Sequence, residues 1–310
     1  MNIVQSTYKR NISSLIAESI LNNCIVHINT NALYVHYCLN KHKKKSSLVK
    51  VYQEAVQNNN YIRSKYYGRD KRTFRIFAVK GYVNLINESD PIVLKSIQSR
   101  YEDGYIVVFD YKVHEYNIFR SLLNVPDCPQ DIHKFVSDTL GVPRSEAKVI
   151  DSTLLYAREE SVIRMCQSLV DSKKYDKESL RSIFDVFSNL RVYIEAYNKT
   201  KIEMFRKTGY VVNSYGRKIY PKDESSIFNN IIQSIGTELL IDDLISIDLL
   251  GLKKTHILFH RFDSIYFDVD KSQLENSIGV IKRTMENIHP EYHLEVGIQI
   301  GRGLTSMLEL

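Results

Sequence analysis

Hydrophobic and polar positions follow a helical period over most of the first 205 residues, with one clear interruption. Residues 1–100 have mostly helical periodicity, and the pattern is helical again from 111 to about 205. Between them, the β-branched and aromatic run at 104–110 follows a glycine and ends in a carboxylate, which predicts a strand. Pro143 predicts the first turn of a helix that continues to about Arg158.

The last third of the chain mixes short extended runs with helical ones. A tight turn near Asp263 joins two of the predicted strands. Helices inserted between strands of one sheet predict an α+β fold. In chain order, the pattern predicts a hairpin at 209–216, a helix at 226–250, two strands within 255–269, a helix at about 271–287 and a strand at 292–300.

Composition is that of an ordinary globular chain, with 44% hydrophobic and 25% charged residues. No apolar run reaches the roughly 18 residues of a membrane span, and the polar start lacks the apolar core of a secretory signal. We therefore expect an intracellular, cytoplasmic protein with no membrane partner, located in the host cytoplasm if its source is viral. The net charge of +6 permits a polyanionic partner without requiring one.

Basic and aromatic residues are interleaved between 61 and 75. This stretch carries Arg63, Lys65, Arg69 and Arg72 among tyrosines and a phenylalanine, a mixture that suits a nucleic-acid backbone and stacked bases. A solvated loop or helix face would have a similar composition. The composition leaves both interpretations open.

Two acidic residues stand where apolar strands are predicted to end. Asp110 closes the first strand, and Asp263 lies in the turn between two later ones. Each alone is explained by a cap or a turn residue as well as by a metal ligand. Held on neighbouring strands beside a cationic helix, they would supply what two-metal phosphoryl transfer requires. Spacing does not show whether they meet.

Two predicted helices carry polar residues at fourfold spacing. On the first, Arg144, Lys148 and Tyr156 share one broad face. The two cations repel each other slightly, and a bound triphosphate would turn that repulsion into affinity. On the second, the amides of Asn229 and Gln233 could contact a duplex minor groove. Solvated helix faces, and a core position for the tyrosine, are the alternatives.

The order and spacing of these residues resemble the polymerase domain of family A DNA polymerases, typified by bacterial DNA polymerase I. The resemblance is collinear from about 104 to 300, roughly two thirds of the chain. The matching segments are 109–115, which contains Asp110 and resembles motif A; Asp131-Ile132-His133; Arg144, Lys148 and Tyr156, which resemble motif B; the hairpin at 209–217; Asn229 and Gln233; 263–269, which resembles motif C; and the closing strand at 294–298.

The resemblance implies a catalytic centre. Asp110 and Asp263 would bind two Mg²⁺ ions. Arg144 and Lys148 would hold the triphosphate of the incoming dNTP, and Lys148 would also protonate the pyrophosphate leaving group.

The resemblance also implies roles around that centre. Tyr156 would lie under the templating or nascent base pair, and Glu115 would act as the steric gate against a ribose 2′-hydroxyl. His133 would help to contact the phosphates. Asn229 and Gln233 would touch the minor groove of the primer-template DNA.

The implied architecture is that of a right-hand polymerase with an antiparallel palm sheet. The palm would comprise 101–125 and 209–310, the helical fingers 126–208, and a reduced thumb-like DNA-gripping region 1–100. The implied activity is template-directed addition of dNTPs to a primer 3′ end. We expect no exonuclease in the chain, and a separate subunit could supply exonuclease, thumb or processivity function.

Several positions depart from the family pattern. Ser152 replaces the usual aromatic residue of motif B, and Phe262 and Ser264 replace the His and Glu that flank the motif C aspartate. The Thr-Gly-Arg motif expected before motif A is not evident, and its nearest trace is Lys80-Gly81-Tyr82. These departures concern residues that would affect the choice between dNTP and rNTP and the catalytic efficiency.

Two alternative functions stay open. A single-subunit RNA polymerase shares some features of motifs B and C, although Glu115 and the Asp131-Ile132-His133 segment are absent from that family. The second alternative is a catalytically weak DNA-binding subunit of a replication complex. A comparison of rNTP with dNTP incorporation distinguishes the RNA polymerase from a DNA polymerase. Duplex binding that is independent of Mg²⁺, without primer extension, indicates the DNA-binding subunit.

Overall fold

A central antiparallel sheet with helices around it forms the described part of the protein. The structure is a computed structural model that describes residues 3–41, 47–63, 65–69, 71–80, 91–126 and 128–310. Strands and helices contribute to one hydrophobic core. The expected α+β fold class is confirmed.

The helices and strands have the following bounds. The helices are α1 (Ile3–Asn23), α2 (Thr30–Asn40), α3 (Ser47–Gln57), α4 (Pro91–Ser96), α5 (His114–Leu123), α6 (Ile132–Leu140), α7 (Arg144–Tyr156), α8 (Glu159–Asp171), α9 (Lys177–Thr208), α10 (Ile227–Leu249) and α11 (Leu274–Glu286). The strands are β1 (Ile25–His27), β2 (Tyr61–Arg63), β3 (Lys65–Arg69), β4 (Ile76–Lys80), β5 (Gly104–Tyr111), β6 (Val211–Val212), β7 (Lys218–Ile219), β8 (Thr255–Arg261), β9 (Ser264–Asp270), β10 (Val296–Gly301) and β11 (Leu308–Glu309).

The main sheet has five strands in the order β11-β10-β5-β9-β8, and all neighbouring strands are antiparallel. The central strand β5 pairs with β9 on one side and β10 on the other. The predicted strand at 104–110 and the two strands within 255–269 are confirmed. The last predicted strand begins at Val296 rather than at residue 292, because the preceding residues form an irregular loop.

The described residues between 61 and 80 include the strands β2, β3 and β4, and the helical prediction for this part of the chain was wrong. β2 pairs with β1, and β3 pairs with β4 as a separate hairpin. Aromatic and β-branched residues are frequent here and favour strands. The short apolar runs do not distinguish a strand from a helix by periodicity alone.

The helices α5–α9 are inserted between β5 and β6. Pro143 is the N-cap of α7, one position before the helix rather than in its first turn. Ala157, just after α7, is extended with ψ 162°, so the helix ends before the predicted Arg158. The long helix α9 ends at Gly209, whose φ of 73° suits a residue without a Cβ. The predicted hairpin follows as β6 and β7.

A buried ion-pair cluster fastens α1 to α10. The fully buried Arg217 donates hydrogen bonds to Glu238 on α10 and to the Arg10 carbonyl on α1. The Arg10 guanidinium donates to Glu238 at 2.6 Å and to Asp242 at 2.7 Å. Removal of one partner would leave a buried charge unpaired, which is strongly destabilising. The cluster therefore fixes the first helix against a helix more than 200 residues later in the chain.

α10 is buried over most of its length and packs against α1, α5, α9 and α11. Within the described ranges, no helix combines the length and the apolar character that a membrane crossing requires.

Asp243 on α10 is a fully buried carboxyl group beside the end of β5. Its Oδ2 accepts a hydrogen bond of 2.6 Å from the Tyr111 hydroxyl, and its Oδ1 has no partner among the described residues. Burial raises the pKa of Asp243 far above its ordinary range. The folded state therefore holds this proton more tightly than the unfolded state.

We expect Asp243→Asn to stabilise the protein at alkaline pH. The proton on Asp243 favours folding below the ordinary carboxyl pKa, and this contribution is lost as the pH rises through the raised pKa of the folded state. The variant lacks that ionisation. Its free energy of unfolding should exceed that of wild type by about 1–3 kcal/mol at pH 8 and by less at pH 5. Urea unfolding at the two pH values measures the difference. An equal loss of stability at both pH values would contradict the expectation.

Candidate active site

The two acidic residues predicted to act together meet at one end of the sheet. Asp110 is the penultimate residue of β5, and Asp263 follows Phe262 in the turn between β8 and β9. Because β5 pairs with β9, Asp110 lies directly opposite Ser264, the residue after Asp263. The Ser264 hydroxyl donates a hydrogen bond to the Asp110 carboxylate.

Burial perturbs both carboxyl groups. Burial raises the pKa of Asp110, and the charge of Asp263 raises it further. Burial also raises the pKa of Asp263, while Lys148 and Arg75 favour its ionised form. Two carboxylates that share a site resist simultaneous ionisation, and a bound cation relieves that repulsion. The pair is therefore suited to binding cations.

His114 lies against this pair and was missed by the sequence argument. Its ring stacks on Tyr111 with the centroids 4.6 Å apart, and its Nδ1 lies 3.8 Å from Oδ2 of Asp263. Burial lowers the pKa of His114 to about 4, so the imidazole is neutral at pH 7. His114 was not among the residues on which the resemblance was based, so the sequence gave no signal for it.

The helix α7 places its cations beside the acidic pair. Arg144 and Lys148 line the same cleft as Asp110 and Asp263. Nη1 of Arg144 lies 2.9 Å from Oδ2 of Asp131, which caps the N-terminus of α6. The like charges that repel each other on the isolated helix thus face carboxylates in the folded protein.

Glu115 and His133 each have a charged partner at the cleft. Nη2 of Arg75 lies 3.4 Å from Oε1 of Glu115, and burial raises the pKa of Glu115. Nδ1 of His133 lies 2.5 Å from Oδ2 of Asp151, which is buried on α7. Both predicted residues are therefore held by a specific contact.

All these side chains line one cleft of about 900 Å³, within the usual size range of ligand pockets. The hydroxyl of Tyr156 is buried there without a hydrogen-bond partner among the described residues. On α10, Gln233 lines the cleft, whereas Asn229 is half-buried outside its lining. The predicted residues that line it are Asp110, Glu115, His133, Arg144, Lys148, Tyr156, Gln233 and Asp263.

Two of the predicted basic DNA contacts lie outside the cleft lining. Arg63 is exposed at the end of β2, and Arg72 is exposed in the turn before β4. Neither lines the cleft. Lys65 and Arg69 belong to β3, and their side chains lie outside what the structure describes.

Arg75 is a cleft residue that the sequence argument did not select. The preceding Phe74 has a φ of 56°, a left-handed conformation that glycine adopts without strain. Thr73-Phe74-Arg75 therefore resembles the Thr-Gly-Arg motif sought before motif A, with phenylalanine in place of glycine. This replacement hid the motif. In the nearest trace found from sequence, Gly81 and Tyr82 lie outside the described residues.

The donor set of the acidic pair suits Mg²⁺. This hard cation prefers oxygen and is often bound by one or two carboxylates, with substrate phosphates and water completing its coordination. Among the residues that the structure describes, no group of three or more His, Cys, Asp or Glu side chains could enclose a metal. Asp110 and Asp263 fit an open, substrate-completed site and not a closed structural one.

Two carboxylates on an antiparallel sheet beside a helix with two cations form the kind of site that phosphoryl transfer uses. Comparison with known proteins shows what the chain is similar to. The chain is 26% identical over 238 residues to the thermostable DNA polymerase I of Thermus aquaticus, a match that covers 67% of this chain. It is 24% identical over 214 residues to DNA polymerase I of Rhizobium leguminosarum, a match that covers 59% of this chain.

The fold has a solved counterpart. The POL domain of Pol1 from M. smegmatis, in complex with a DNA primer-template and dNTP, superposes with a TM-score of 0.64 at 17% identity. The superposition covers 83% of this chain and 50% of that one. No model of a protein family matches the sequence.

These likenesses confirm the resemblance to the polymerase domain of family A DNA polymerases. The matched region spans 28% of the Thermus protein and 20% of the Rhizobium protein. The chain therefore corresponds to only part of its curated relatives.

Proposed function

We propose that the protein is a template-directed DNA polymerase that adds dNTPs to a primer 3′ end by two-metal phosphoryl transfer. One observation carries the proposal: Asp110 and Asp263, 153 positions apart, lie side by side in a cleft that also contains Arg144 and Lys148. Fixed carboxylates and cations of this kind supply the positioning and charge stabilisation that phosphoryl transfer requires. The names of the relatives support the same activity.

The chemistry is divided between the two sides of the cleft. Mg²⁺ ions held by Asp110 and Asp263 would activate the attacking 3′ oxygen and stabilise the leaving group. Arg144 and Lys148 bind the triphosphate, and the Lys148 ammonium donates a proton to the departing pyrophosphate. His133 contacts the phosphates, and Tyr156 lies under the nascent base pair.

The duplex lies along the sheet side of the cleft in this proposal. Gln233 and Arg75, which line the cleft, would contact the minor groove and the primer end. Asn229, Arg63, Lys65, Arg69 and Arg72 would contact the DNA further from the cleft.

The subdomain assignment is part of the same proposal. Residues 101–125 and 209–310 form the palm, 126–208 the fingers and 1–100 a reduced thumb-like region. The position of α6–α9 between the sheet strands β5 and β8 in the chain supports the division into palm and fingers. The supply of exonuclease or processivity function by a separate subunit stays a prediction.

A primer-extension assay with Mg²⁺ tests the proposed function. The protein should extend a primer with dNTPs in template order, and extension should stop without Mg²⁺ or template. Preferential use of rNTPs would favour the RNA-polymerase alternative. Duplex binding that is independent of Mg²⁺, without extension by the protein alone or with its candidate partners, would favour a DNA-binding subunit.

We expect Glu115→Ala to relax sugar selection. Its carboxylate, which lies 3.4 Å from Nη2 of Arg75, would exclude a ribose 2′-hydroxyl. Truncation should raise the relative kcat/KM for rNTPs roughly 10- to 100-fold, equivalent to about 1–3 kcal/mol of discrimination. Glu291→Ala, at an exposed loop position, is the control. Unchanged discrimination in Glu115→Ala would exclude the gate.

A further inference from the structure

A buried carboxylate with no role in the chemistry described above lies in the wall of the cleft. Asp151 on α7 is 1% exposed. Its Oδ2 accepts a hydrogen bond of 2.5 Å from Nδ1 of His133, a residue predicted to contact substrate. The Ser152 hydroxyl lies 3.2 Å from Oδ1 and donates to the Lys148 carbonyl at 2.6 Å.

The contact determines which atom of His133 is available. The Asp151 carboxylate engages Nδ1, so Nε2 is the ring nitrogen left for a ligand. A carboxylate at one imidazole nitrogen sets both the tautomer and the ring orientation. The His133 side chain is only 14% exposed, so its ring has little freedom to turn.

The other carboxylates near His133 have partners of their own. Asp131, which caps α6, pairs with Arg144 at 2.9 Å. Glu115 on α5 pairs with Arg75 at 3.4 Å.

Asp151 is the carboxylate that contacts the imidazole directly. Lys148 on the same helix also faces Asp151. Burial raises the pKa of Asp151, and the hydrogen bond from His133 opposes that shift.

We propose that Asp151 is a positioning residue that holds His133 with Nε2 directed at the triphosphate of the incoming nucleotide. The inference rests on the proposed function, in which His133 contacts the phosphates. Asp151 itself does not touch the substrate. It couples α7, which binds the triphosphate through Arg144 and Lys148, to α6, which carries the histidine.

The kinetics of Asp151 variants measure how strongly Asp151 supports the proposed contact of His133 with the triphosphate. Asp151→Leu should lower kcat/KM for dNTPs roughly 10- to 100-fold, the range found when the partner that orients a functional histidine is lost. Asp151→Asn keeps an acceptor for Nδ1, so its kcat/KM for dNTPs should fall less than that of Asp151→Leu. The affinity for primer-template should be unchanged in both.

A double-mutant cycle separates positioning from simple packing. In a His133→Gln background, Asp151→Leu should reduce kcat/KM less than twofold, because the residue through which it acts is already gone. Asp138→Asn, an exposed substitution on α6, is the matched control and should match wild type. An equal loss from Asp151→Leu in both backgrounds would overturn the proposal.

Nitrogen-15 NMR of the histidine rings tests the contact without any activity. Wild type should carry a proton on Nδ1 of His133, and inorganic tripolyphosphate should shift the Nε2 signal. In Asp151→Leu, the Nδ1–H form and the response to tripolyphosphate should both diminish. Unchanged signals in this variant would overturn the proposal. Absence of primer extension by wild type, with these NMR responses present, would count against the proposed function and not against the Asp151–His133 contact.

Discussion

Replacement of Asp263 by asparagine should reduce dNTP incorporation at least about 10³-fold, a loss of about 4 kcal/mol of transition-state stabilisation. The substitution keeps the size of the side chain and removes its charge. Asp263 lies in a tight turn beside Asp110, and the variant would leave Asp110 as the one charged carboxylate of the proposed metal-binding pair. Single-turnover primer extension at saturating Mg²⁺ measures the effect.

The strand that begins beside Asp263 offers a matched control at its other end. Asp270 ends β9, caps the following turn and lies 3.4 Å from Lys254. Asp270→Asn makes the same chemical change, and asparagine caps equally well. It should retain nearly full activity, while Asp263→Asn should still bind primer-template. Incorporation by Asp263→Asn within a few fold of wild type would refute the proposed metal site.

Lys148→Met should lower kcat about 10²- to 10³-fold. The ammonium lies near both Asp110 and Asp263, where it stabilises their ionised forms before substrate binds. With substrate bound, it would stabilise the leaving pyrophosphate, so its loss should affect kcat more than primer-template affinity. Rapid-quench measurement of a single nucleotide addition separates the two quantities.

A lysine outside the cleft controls for the change of side chain. Lys134 on α6 is 67% exposed and pairs with Asp138 four residues later, a contact that contributes little to stability. Lys134→Met should leave kcat unchanged. If Lys148→Met raised only KM for the dNTP, Lys148 would bind the nucleotide without acting as a proton donor.

The strands that carry the acidic pair were predictable, but their meeting was not derivable from periodicity. Local sequence shows that 104–110 and the segment around Asp263 are apolar and extended. Which strands pair, and in what register, depends on contacts between segments 153 positions apart. Only the collinear resemblance supplied that information before the structure did.

Other parts of the site were hidden for specific physical reasons. Phe74 occupies a backbone conformation that glycine would suit, so Arg75 was not recognised as part of a motif. The Asp151–His133 contact joins two helices, and no helical spacing predicts it. The strands within 61–80 were missed because short apolar runs fit either period.

The position of β5 at the centre of the sheet has a consequence for biosynthesis. Both of its partners are encoded much later: Asp110 pairs with Ser264 on one side and Gly297 on the other. At ribosomal rates, this apolar strand waits roughly ten to thirty seconds for its first neighbour. Contacts of such long range form slowly, and an unpaired strand edge is prone to aggregate. Yield from rapid heterologous expression should therefore improve with slower translation or with added chaperones.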